Sequence, residues 1–118
     1  GEGKTLNNRK LALEQFKLMP EDFIARYFLA TYYYTGFNDL IIDKNFALKE
    51  YEEIADYYSN KTDYQDAMPV YVRTKSLIAL DHFTKTDAQL LEKWATKGDK
   101  YCQKLFKIWI DSNKTWPS

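Results

Sequence analysis

Apolar positions along this chain recur every three to four residues rather than alternating, and that period predicts helices from end to end. The first is a short helix from Asn8 to Leu18, with Leu11, Ala12 and Phe16 on one face and Met19 a turn further on. Met19-Pro20 ends it, and Pro20 then opens the next helix, with Glu21 and Asp22 at its positive end. From Pro20 to Tyr34 the pattern is apolar on nearly every side, through Phe23, Ile24, Tyr27, Phe28, Leu29 and Tyr32, which predicts a central helix. Gly36 supplies the left-handed residue that stops it.

Asp43 is the N-cap of a third helix, with Phe46, Ala47, Tyr51, Ile54, Ala55 and Tyr58 inward and Lys49, Glu50, Glu52, Glu53 and Asp56 outward. Residues 59–65 break the pattern. A fourth helix starts at Asp66 or Ala67, tolerates Pro69 in its first turn and runs to about Phe83. A fifth is capped by Thr86 or Asp87, carries Leu90, Leu91, Trp94 and Ala95, and stops at Lys97-Gly98. The sixth, Asp99 to Asp111, presents Tyr101, Cys102, Leu105, Phe106, Ile108 and Trp109 before a polar tail from Ser112. Helices of this length on short connections pack antiparallel to their neighbours.

A template recurs within this pattern. Ala25, Phe28, Leu29 and Tyr32, followed by Gly36, are spaced as Cys102, Leu105, Phe106 and Trp109, with a small Ser112 near the end, and a weaker copy falls at Thr74, Leu77, Ile78 and Asp81. Between them, Asp43, Ala47, Tyr51 and Ala55 share a four-residue spacing with Asn8, Ala12 and Phe16, and Leu91, Trp94, Ala95 and Gly98 continue it. A small residue, an apolar pair, an aromatic and a Gly, then an Asp-led helix ending in alanines, resembles the tetratricopeptide-like superfamily, most closely its Sel-one-like repeat branch. The likeness spans Asn8 to Ser112, although Leu29, Ile78 and Phe106 stand where the family usually has Gly or Ala. It implies an all-α, right-handed α-α superhelix: a short solenoid of about six antiparallel helices in one domain over residues 1–118, with 1–7 and 113–118 as frayed tails. Such units bury their apolar faces only by stacking, so three pairs build one core.

Composition agrees with a folded chain. At 118 residues with 45% apolar content it can bury roughly 65% of its unfolded surface, which excludes disordered and low-complexity classes. Seventeen basic and seventeen acidic residues cancel, so the bulk charge of a nucleic-acid binder is missing. No apolar run reaches the ~20 residues of a membrane span and no secretory leader opens the chain. A soluble protein is expected, cytoplasmic or periplasmic after leader removal. A single cysteine forbids an internal disulfide and a cysteine-rich zinc site.

Candidate chemistry is sparse. Gly1-Glu-Gly-Lys-Thr5 matches the end of a phosphate-binding loop, but no strand precedes it. His82 adjoins Asp81, yet adjacent helical residues do not face each other, and Cys102 falls where the template wants a small packed residue. Glu50, Glu52, Glu53 and Asp56 read as a solvated face. The ten tyrosines, clustered at Tyr32–Tyr34 and Tyr57-Tyr58, exceed what a small core needs and suit an interface. No cofactor, metal or small-molecule substrate is expected.

In the family the first helix of each pair lines a concave groove. Carried over, the lining is Arg26, Ala30 and Tyr33, then Lys75, Ala79 and His82, then Gln103, Lys107 and Ile110. The resemblance therefore implies a non-enzymatic module that binds a protein or acidic peptide through Arg26, Tyr33, Lys75, His82, Gln103 and Lys107, basic within and acidic without, in a bacterial adaptor or regulatory role. An immunity protein neutralising a cognate secreted toxin is the alternative. A small hydrolase led by Cys102 or His82, and a segment of a longer repeat array, are two further readings.

Overall fold

The computed structural model describes residues 14–37, 41–60 and 64–116, and every regular element among them is helical. After a single helical turn over residues 14–17 come α1 (Phe23–Thr35), α2 (Lys44–Ser59), α3 (Ala67–Ala79), α4 (Lys85–Thr96) and α5 (Lys100–Asp111). None of them is long and apolar enough to cross a membrane. The remainder of the expected Asn8–Leu18 helix, the phosphate-loop fragment and residues 1–7 lie outside the described residues.

Helix ends follow the capping chemistry, with three departures from the expected bounds. Asp22, not Pro20, begins α1: its carboxylate accepts from the N–H groups of Ile24 and Ala25, satisfying two donors that a helix start leaves open. Helix α4 starts earlier than expected. Thr84 is its cap and Asp87 the reciprocal partner three residues on, so the residue taken for a cap is the other half of a capping box. Helix α3 ends at Ala79 because Asp81 adopts φ 59° and the His82 N–H returns to the Leu77 carbonyl, a left-handed stop made without glycine. Gly36 (φ 72°), Asp43 and Asp99 act as the sequence predicts.

Packing follows chain order. Each helix packs on the next, and α3 also touches α1 and α5; no other helix pair meets among the described residues. Two apolar clusters result. One gathers Tyr27, Ala30, Ala47, Tyr51, Ile54, Tyr58 and Val72 from α1, α2 and α3. The other gathers Val70, Leu91, Ala95, Cys102 and Leu105 from α3, α4 and α5. Ile54 and Leu91 are fully buried, each worth ~1.5–3 kcal/mol relative to exposure. Beyond α5, where the sequence reads a polar tail, residues 113–116 turn back and set the Trp116 ring edge-on against Phe83 at 5.1 Å. A large aromatic surface outweighs its polar neighbours there.

Helices α1 and α3 carry the same burial pattern. From Ile24 to Tyr33 and from Tyr71 to Leu80 the buried and half-buried positions match one for one, so that Ala25 corresponds to Val72 and Arg26 to Arg73. Both arginines reach an acid on the following helix: Arg26 pairs with Glu50 and Glu53, Arg73 with Asp87 at 2.7 Å. This register differs by two residues from the one drawn by aligning Ala25 with Thr74. Polar side chains in α3 hide it: Thr74 and Ser76 are both fully buried, and the Ser76 hydroxyl is accommodated by donating to the Val72 carbonyl.

Candidate binding groove

A cleft of about 690 Å³ runs over α1, α3 and the start of α5. Its floor is a row of aromatic rings. Tyr34 lies 6.1 Å from Tyr51, Tyr51 6.0 Å from Tyr27, Tyr27 6.3 Å from Tyr71 and Tyr71 5.3 Å from Tyr101, so five tyrosines from four helices touch in sequence. These tilted and edge-on pairs are the preferred geometries of rings with a quadrupole, and they hold the floor rigid.

The Tyr51 hydroxyl is tied as well: Thr31 Oγ1 lies 2.9 Å from it and donates to the Tyr27 carbonyl. Burial holds all three phenols protonated: it pushes the Tyr27, Tyr51 and Tyr71 pKa values above the ordinary value for tyrosine. Phe28, Met68, Ile78 and Ala79 complete the apolar wall, and Lys75 is the one charged side chain that lines the cleft. Lys75 is half-buried and joins no ion pair. At the α5 edge, Tyr101 is 55% exposed and Ile108 43%, an apolar continuation bordered by the exposed Lys100 and Lys104.

Of the residues expected to line one basic groove, Lys75 and Ala79 do so. Arg26 does not. Its Nε donates to Glu50 at 2.8 Å, its Nη2 to Glu50 at 3.1 Å and to Glu53, and its ring-facing side lies 4.8 Å from Phe23. These bonds hold the guanidinium protonated, raising its pKa further above its ordinary value. Charge is therefore matched between α1 and α2, not divided into a basic inside and an acidic outside at this point. Glu50, expected to be solvated, is half-buried by that pairing, whereas Glu52, Glu53 and Asp56 are exposed. Tyr33 turns the same way and packs edge-on against Phe46 of α2 at 4.9 Å.

His82 is exposed beyond the end of α3. Gln103 donates to the Ala95 carbonyl at 3.0 Å and Lys107 pairs with Asp111 at 2.9 Å on the outer surface of α5. The groove thus holds one of the six expected site residues and four tyrosines that sequence reasoning did not single out: Tyr27, Tyr51, Tyr71 and Tyr101. The register shared by Arg26 and Arg73 does not mark them, since it aligns Tyr27 with Thr74 and Tyr71 with Ile24.

Cys102 is fully buried, and burial, with the nearby Asp99 carboxylate, pushes its thiol up to about 12. No group of three His, Cys, Asp or Glu side chains is arranged to hold a metal among the described residues. Comparison with protein-family models, with curated proteins and with solved structures gives no match for this chain.

Proposed function

We propose that this protein is a non-enzymatic binding module built as a short right-handed helical solenoid, whose groove over α1, α3 and α5 takes an extended acidic segment of a partner protein. The observation that carries the reading is the tyrosine row with Lys75 as its charged lining residue. Tyr101 is the exposed ring of the row and combines large apolar contact with a hydroxyl that reads polar groups, while the buried rings of Tyr27 and Tyr51 make the floor beneath. A half-buried ammonium without a carboxylate partner favours an anionic guest, and Lys100 and Lys104 extend that preference along the rim. The solenoid part draws support from helices that pack in chain order, from α3 touching both α1 and α5, and from the matched arginines.

Selection of binding peptides from an unbiased displayed library tests the proposal. Acidic sequences bearing aromatic or aliphatic side chains are expected, with affinity falling as salt rises. Lys75→Glu and Tyr101→Ala are expected to weaken the selected peptides about tenfold each, ~1.4 kcal/mol. Lys107→Glu, on the outer surface, is expected to change little. Peptides without charge bias, or binding untouched by Lys75→Glu, would overturn the reading.

A further inference from the structure

A second cleft, of about 780 Å³, opens between α4, α5 and the turn that follows α5, away from the tyrosine groove. Four aromatic rings wall it. Phe83 stands edge-on to Trp109 at 5.8 Å and to Trp116 at 5.1 Å, and Phe106 is tilted against Trp109 at 6.1 Å. The indole N–H of Trp116 is buried without an acceptor, although buried polar groups are ordinarily hydrogen-bonded.

Charges of both signs line the same cleft: the carboxylates of Asp81 and Glu92 and the ammonium groups of Lys85 and Lys114. None of the four joins an ion pair. Asp81 (φ 59°) belongs to the left-handed stop of α3, and Lys114 (φ 62°) to the turn after α5, where its N–H returns to the Trp109 carbonyl.

We infer that this cleft binds an aromatic zwitterion, from a free amino acid to a dipeptide in size, with its ring among the indoles, its ammonium toward Asp81 and Glu92 and its carboxylate toward Lys85 and Lys114. A guest with only a negative charge leaves two carboxylates facing it, and one with only a positive charge leaves two ammonium groups. A zwitterion answers both pairs. Volume and lining match the general pattern of small-ligand sites, apolar walls with a few convergent polar groups.

The dipeptide phenylalanyl-leucine is the probe, with its N-acetylated form (anion alone) and its amidated form (cation alone) as matched controls. Trp109 and Trp116 line the cleft, so intrinsic tryptophan emission reports occupancy. The free dipeptide is expected to shift the emission saturably, and each single-charge form to bind at least about tenfold more weakly. Asp81→Asn and Lys114→Asn are each expected to cost about tenfold; asparagine tolerates the left-handed backbone, so the melting temperature holds while the charge goes. No saturable shift up to about 10 mM, equal binding of the three forms, or binding insensitive to both charge variants would overturn the inference.

Discussion

Cys102 and His82 are the two side chains whose chemistry invites a catalytic reading, and the surroundings of Cys102 oppose it. The thiol has no exposure, and its pKa is pushed up to about 12, so the thiolate that performs nucleophilic attack is scarce at neutral pH. We expect Ellman's reagent to leave the native protein unmodified at pH 8 and to label the cysteine fully once the chain is unfolded. Rapid labelling of the native state would restore a reactive-cysteine hypothesis. The same burial was legible from the sequence, because Cys102 falls at the small position of the template. The role of Arg26 was not. One residue beyond a small buried position looks equally like groove lining and like a link to the next helix, and only the packing of Glu50 beneath it decides.

At the level of elements, caps explain which helix bounds the sequence could supply. Asp43 and Asp99 stand alone before amphipathic runs and were readable. Thr84, Thr86 and Asp87 compete within four residues, and a capping box uses two of them, so pattern alone points to the wrong one. Asp87 has a second task. Besides accepting from the Thr84 N–H and hydroxyl, it pairs with Arg73 at 2.7 Å with both side chains mostly buried, tying α4 to α3. Thr84→Ala removes the cap and is expected to cost ~1 kcal/mol in urea denaturation. Asp87→Ala also leaves a buried guanidinium unpaired and is expected to cost ~3 kcal/mol or more. Equal losses would mean that the Arg73 pair contributes nothing. The tyrosine groove was half-legible for a related reason: α3 gave Lys75 and Ala79, but the register of α1 was set from its small residue and so pointed toward α2.

For the whole molecule, the buried phenols make stability depend on alkaline pH. Tyr27, Tyr51, Tyr58, Tyr71 and Cys102 all have folded pKa values raised by burial above the ordinary 10.0 for tyrosine and 9.0 for cysteine. The unfolded chain therefore releases these protons first. Their contribution is full below about pH 9 and falls as pH climbs toward the folded values, about 12 for Tyr58 and Cys102, at up to ~1.4 kcal/mol per pH unit per group. The share of tyrosinate absorbance that belongs to these four buried rings is expected to rise in one cooperative step that coincides with loss of helical circular dichroism. Ionisation of all ten tyrosines with the helices intact would contradict the burial of these rings.

Helix α3 gives Val72 to one apolar cluster and Val70 to the other, and it alone touches all four other described helices. Its consequence is mechanical. Tension applied between the outer helices runs through two interfaces in series, with α3 as the shared spar, so the weaker interface yields first while the other half stays folded. Because the tyrosine groove crosses that spar from one half to the other, a guest lying along it would act as a splint.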